Sequence, residues 1–374
     1  MPDNDARQYF TFAEPPDLMP VECGAGLGPI TLAYETWGEL NPQKDNAILI
    51  LHAFSGDAHV ASHDSAKSRA KEPGWWDFMV GPGKGIDTRK YFVLCSNVIG
   101  GCMGSTGPSS HCPQSGRPYG MDFPVVTIKD MVRAQKVLLD HLGISRVLAV
   151  VGGSMGGMQA LQWCADYPDS VASAVLLATT ARHSALAIAF NEIARRAIMT
   201  DPKWQRGSYY GSEGPELGLA VARMIGHVTY LSDEAMHRKF GRRLQNRCDL
   251  SFDFDINFEV ESYLHHQGEK FVRRFDANSL LYITKAADYF DFTTADSETL
   301  TRMAEAGIRF LVTSFSSDWL YPTYQSRELV RLLKKNRIDV SFCEIRGDSG
   351  HDGFLLPSER LTNLIAGFLK RGQA

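Results

Sequence analysis

Residues 147–162, VLAVVGGSMGGMQALQ, oblige a β-strand to turn at once into an α-helix. Val147 to Val151 is β-branched and apolar enough for a strand covered on both faces, and a helix begins near Met155. Between them lies Gly152-Gly153-Ser154-Met155-Gly156, a G-x-S-x-G pattern. So sharp a turn imposes strained backbone angles on the serine, while the flanking glycines let helix and strand approach closely. The serine oxygen then stands clear of the turn. The Met155 N–H, at the new helix N-terminus, faces any negative charge that develops on a bound carbonyl. The same letters also suit an ordinary glycine-rich βα turn, so a nucleophile reading depends on finding partners.

The pattern around this turn is alternating. Strands are expected at Ile30 to Thr36, Ala47 to His52, Tyr91 to Ser96, Ala174 to Ala178, Ile308 to Ser314 and Val340 to Ile345. Helices are expected at Ile128 to Leu142, where Thr127 and Asp130 form a capping pair and Gly143 stops the run, at Met155 to Asp166, and at Ser326 to Lys335. Such alternation implies an α/β fold with a mostly parallel, doubly wound sheet. Between 182 and 300 the period becomes helical, as in Ala185 to Met199, Gly218 to Met224 and Ser232 to Phe240. At 374 residues the chain is too long for one minimal domain. It divides into a core of residues 1–181 and 301–374 and a helical lid insertion of 182–300 over the carboxyl edge of the sheet. The long loop from Ser55 to Lys90, with Trp75-Trp76, is expected to wall the site.

A net charge of −4 with mixed signs and no basic block argues against nucleic-acid binding. No stretch approaches the ~20 apolar residues that cross a bilayer, and MPDNDARQYF has no leader pattern, so no membrane partner and a cytoplasmic location are expected. Seven scattered cysteines without C-x-x-C pairs fit free thiols.

A nucleophilic serine needs a base, and the base needs an orienting acid. In such a sheet the chain order is serine, then an acid after a later strand, then histidine after the last. Asp318 follows the strand Ile308 to Ser314, and His351 follows Val340 to Ile345. Each falls at a strand's carboxyl end, where open α/β sheets place their sites. Singly, Asp318 suits a turn and His351 a satisfied histidine; the order and placement of all three favour a triad. The remaining histidines lack that placement, and His265-His266 is not an H-x-x-x-H pair, so no metal is expected. The second oxyanion donor belongs on the loop after an early strand, in Leu51-His52-Ala53-Phe54-Ser55-Gly56. The Phe54 N–H is the candidate there, acting with that of Met155. These residues describe a serine acyl-transfer enzyme on an α/β-hydrolase fold.

Beyond that point the chain resembles the homoserine O-acyltransferases of methionine biosynthesis along nearly its whole length. The matching segments are LAYETWGELN, ILILHAFSGDAHV, PGWWDFMVGPGKGIDTRKYFV, SNVIGGCMGSTGPSS, VVGGSMGGMQALQW, ARMIGHVTYLSDEAM, FVRRFDANSLLYITKAADYFD, SSDWLYP and GHDGFL. The resemblance implies Ser154 as nucleophile, Asp318 as acid and His351 as base. It implies that Arg223 binds the homoserine carboxylate and Asp352 its amino group, with a homodimer as the assembly. Arg223 alone would suit a helix-surface ion pair, and Asp352 a helix cap. Succinyl-transferring members carry an arginine two residues after the acid, where this chain has Leu320. An apolar Leu320 offers nothing to a buried carboxylate and suits an acetyl methyl group. The expectation is therefore transfer from acetyl-CoA, as co-substrate with no bound cofactor, to L-homoserine. A succinyl donor, L-serine as acceptor, or an esterase of the same fold are the alternatives.

Overall fold

A computed structural model of the chain describes residues 6–63 and 73–371. Its central sheet has eight strands: β1 (Gln8–Phe12), β2 (Ile30–Trp37), β3 (Ala47–Leu51), β4 (Phe92–Ser96), β5 (Ala149–Gly153), β6 (Ser173–Leu177), β7 (Arg309–Phe315) and β8 (Asp339–Ile345). The spatial order is β1-β2-β4-β3-β5-β6-β7-β8. The first two pairings, β1 with β2 and β2 with β4, are antiparallel, and all later ones are parallel. This is the expected mostly parallel α/β sheet.

The continuous apolar strands serve two cores at once. In β3, Leu49 and Leu51 pack into one core with Met131 and Leu161, while Ile48 and Ile50 point into the other with Leu361 and Ile365. Period-2 alternation inside an all-apolar run is what a sheet covered by helices on both faces requires. The covering helices include α1 (Ile128–His141) and α2 (Met155–Asp166). At the start of α1 the Thr127 and Asp130 side chains each bond the other residue's backbone N–H, the expected capping box.

From Ala185 the chain is helical: α3 (Ala185–Thr200), α4 (Glu216–Tyr230), α5 (Asp233–Lys239), α6 (Glu259–Val272) and α7 (Ala277–Tyr289). Helix α4 packs between α3 and α6 and also touches the turn Gly350–Phe354 that carries His351. The crossover helix α8 (Ser297–Glu305) leads back into β7, then α9 (Thr323–Lys335) and α10 (Glu359–Lys370) complete the layers. Among the described residues no helix is long and apolar enough to cross a membrane. The seven cysteines are free.

Two expectations need correction. Strand β5 lies two residues further along than the expected Val147 to Val151: Val147 makes only an isolated bridge to Val171, while Gly152 and Gly153 pair in register with Leu176 and Leu177. The tryptophans of the 55–90 loop do not wall the cavity at Ser154. Trp76 is buried in the second core and donates its indole N–H to the Phe354 carbonyl at 2.8 Å, bracing the His351 turn from behind. Residues 64–72 of that loop lie outside the described residues.

Candidate active site

Ser154 sits at φ 56° and ψ −123°, a conformation side chains rarely adopt. Its surroundings hold it there. The Ser154 N–H donates to Leu177 O at 2.9 Å, and its carbonyl accepts from Thr179 Oγ1 at 2.8 Å. A Cβ on Gly156 would stand 2.0 Å from Leu51 O, so only glycine lets α2 start this close to β3. Strain of this kind persists where the fold over-determines it.

Asp318 follows β7 and is buried. Its Oδ1 accepts the backbone N–H groups of Leu320 at 3.0 Å and Tyr321 at 2.9 Å, which aims Oδ2 at His351 Nδ1, 2.8 Å away. With that proton on Nδ1, Nε2 is an acceptor, and it lies 2.8 Å from Ser154 Oγ. Burial alone would lower the His351 pKa, but the Asp318 charge and hydrogen bond prevail and hold it above the ordinary imidazole value of 6.5. A base must be neutral to accept a proton, so with His351 as the expected base the acid limb of activity should follow this group. We expect kcat/KM for the acyl donor to rise with pH along a limb whose midpoint exceeds 6.5. A pH–rate profile with its midpoint below that value would contradict the assignment.

Phe54, after β3, and Met155, at the start of α2, share a cavity with Ser154. The Met155 N–H belongs to the first helical turn, whose amides have no intrahelical acceptor. The loop carrying Phe54 is fixed by His52. The buried imidazole donates from Nδ1 to Ala53 O at 2.8 Å and accepts the Val98 N–H on Nε2 at 3.1 Å. Gln159 of α2 donates to the His52 carbonyl at 3.2 Å, tying this loop to the serine turn. No sequence signal separated His52 from other histidines.

Arg223 projects from α4. Its guanidinium lies over the Phe271 ring at 4.7 Å and near the Tyr230 ring at 5.9 Å, and Nη1 donates to Ser55 Oγ at 3.3 Å. Asp352 follows His351 on the same turn. Burial raises the Asp352 carboxyl above its usual range against the pull of His351 and Arg223, and burial lowers the Arg223 pKa. The two charges are close enough to act on each other. Leu320 is buried and lines the Ser154 cavity together with Tyr321.

Among the described residues one group collects possible metal ligands: Glu35, His59 and His63, with ligand atoms within 4.8 Å of one another. Glu35 Oε2 accepts from His59 Nδ1 at 2.8 Å and His63 Nε2 at 3.0 Å, and Oε1 accepts from Arg7 Nε at 3.2 Å. Burial pushes this carboxyl up, but the imidazoles and Arg7 bring it down to about 2. A guanidinium already on the carboxylate makes this an ion-pair network, and none of these contacts reaches Ser154, Asp318 or His351.

The chain has close counterparts. A family profile described as the alpha/beta hydrolase fold matches residues 46–357. Homoserine O-acetyltransferase of Desulfotalea psychrophila is 61% identical over 365 residues, covering 97% of this chain and 94% of that one. The Solidesulfovibrio magneticus protein of the same name is 61% identical over 368 residues, with 98% and 92% covered. In three dimensions the crystal structure of homoserine O-acetyltransferase from Bacillus anthracis superposes with a TM-score of 0.89 at 30% identity, covering 98% of this chain and 97% of that one. Esterase E22 follows with a TM-score of 0.86 at 29% identity and 97% and 99% covered. With near-complete coverage at such identity, the chain belongs to the homoserine O-acetyltransferase family of the α/β hydrolases.

Proposed function

We propose that the chain transfers the acetyl group of acetyl-CoA to the hydroxyl of L-homoserine through an ester on Ser154. The reading rests chiefly on the unbroken chain Asp318–His351–Ser154, with both links at 2.8 Å. His351 takes the Ser154 proton as Oγ attacks the thioester carbonyl; the Phe54 and Met155 N–H groups stabilise the oxyanion, and CoA leaves carrying that proton. His351 then deprotonates the homoserine hydroxyl, which attacks the ester carbonyl. Ser154 leaves and regains a proton from His351. Arg223 and Asp352 suit the two charged ends of an amino acid, through charge-assisted hydrogen bonds.

The likeness to an esterase makes water the natural competitor of homoserine. A transferase differs from a hydrolase by which nucleophile the ester meets first. We assign water exclusion to a lid formed by residues 182–300. The test is a matrix of acetyl-CoA and succinyl-CoA against L-homoserine and L-serine, with free acid measured alongside ester. The reading predicts acetyl transfer to homoserine as the dominant product. Dominant free acetate would favour the esterase.

Leu320 sets the donor in this reading. Leu320→Arg should lower kcat/KM for acetyl-CoA and raise it for succinyl-CoA, moving the ratio at least about tenfold, or about 1.4 kcal/mol. An unchanged ratio in folded enzyme would remove Leu320 from donor choice. A cytoplasmic homodimer completes the proposal. Leu217, Val221 and Val228 expose apolar surface on α4 where a second copy can seat, while Met199 is also exposed and Leu231 and Met236 are half-buried.

A further inference from the structure

Tyr321 contacts Asp318 and His351 and lines one cavity with Ser154. Its backbone N–H donates to Asp318 Oδ1 at 2.9 Å, its ring meets the His351 imidazole edge-on with centroids 4.9 Å apart, and its hydroxyl faces Ser154 across their shared cavity. That hydroxyl has its own support. Tyr321 Oη lies 2.6 Å from His183 Nε2, and His183 Nδ1 lies 2.9 Å from Asp288 Oδ1. A carboxylate only accepts, so Nδ1 carries a proton, and in the neutral imidazole Nε2 then accepts the Tyr321 O–H. Asp288 is itself held, accepting from Asn191 Nδ2 at 2.7 Å and Arg195 Nη1 at 2.6 Å. All of these groups are buried or half-buried.

The geography of the relay matters. Tyr321 follows β7 in the core, whereas His183 stands just before α3 and Asp288 near the end of α7, both within the helical segment. An aspartate–histidine pair thus reaches across from those helices and fixes a core side chain that abuts the catalytic imidazole. The hydrogen bond to His183 restrains the ring, and a misplacement of about 1 Å at reacting atoms can cost about 10²-fold in rate.

We propose that Tyr321 is a positioning residue, and that Asp288 and His183 act through its hydroxyl to set the His351 imidazole against Ser154. The helical segment thereby contributes to the geometry of the triad and not only to the cover of the cavity. The proposal rests on the acetyl-transfer reading, since Ser154 acylation is its readout.

Tyr321→Phe keeps the ring and removes the hydroxyl. His183→Leu cuts the same link from the other side, while His183→Gln offers an amide that can accept from Tyr321 and donate to Asp288. Acylation by acetyl-CoA is followed as single-turnover CoA release, with steady-state kcat and KM, on variants shown to be folded. Tyr321→Phe and His183→Leu should each lower the acylation rate about 10- to 100-fold with donor KM changed less than about threefold. The double variant should be no slower than the slower single one, because the two act as a unit. His183→Gln should recover most of the loss. Should Tyr321→Phe fail to fold, the His183→Leu and His183→Gln comparison carries the test. Rates within twofold of the parent, multiplicative losses in the double variant, or equal losses in His183→Leu and His183→Gln would overturn the proposal. Failure of the unsubstituted enzyme to release CoA would instead overturn the acetyl-transfer reading.

Discussion

Ser154→Ala should lower acetyl transfer by about 10⁵- to 10⁶-fold while leaving the protein folded. Removing the nucleophile of a comparable triad costs that much, and what survives comes from the oxyanion donors and binding. No acetyl group should be found on a Ser154-containing peptide after exposure of this variant to acetyl-CoA, where the parent carries one. An acetylated parent serine at another position would displace Ser154 from the mechanism. A companion variant isolates the strain. At φ 56° and ψ −123° alanine is as uncomfortable as serine, but glycine is not. Ser154→Gly should therefore be equally inactive yet more stable than Ser154→Ala by about 1 kcal/mol, read from denaturation midpoints. Equal midpoints would mean that this turn stores no strain.

What could be read from the letters follows how local each signal is. The turn at Ser154 needs only one strand, four glycines and one helix within a single stretch, and α2 begins and ends where the pattern placed it, Met155–Asp166. Asp318 and His351 were legible because a parallel sheet converts chain order into position: whatever follows β7 and β8 arrives on the edge that holds Ser154. Strand β1 was not legible, since Gln8–Phe12 is an edge strand with exposed residues and no apolar run. Nor was the relay on Tyr321. His183 and Asp288 are 105 positions apart and meet only because α3 and α7 pack together. The expectation that no other histidine shares the placement of His351 fails for His183, which lies shortly after the carboxyl end of β6.

Arg223→Met and Asp352→Asn should each raise KM for homoserine by about 10- to 150-fold, while single-turnover CoA release changes far less. A hydrogen bond to a charged group contributes about 1.5–3 kcal/mol, and under the proposed acceptor binding each variant removes one such partner from a charged end of homoserine. The two losses differ in their side effects. Arg223 also braces Ser55 and lies over Phe271, so methionine keeps part of the apolar contact and isolates the charge. Asp352 sits beside His351 and contributes to the raised pKa of that imidazole, so Asp352→Asn should also shift the acid limb of acylation to lower pH. The sign is fixed by charge: removing an anion makes imidazolium less favourable. Acceptor binding has a second pH signature. Asp352 must be ionised to hold an ammonium, and burial has raised its pKa above 3.8, so homoserine KM should climb as pH falls through that raised value, and this climb should vanish in Asp352→Asn. If homoserine KM stayed within threefold in both variants, the acceptor's charged groups would have to be bound elsewhere.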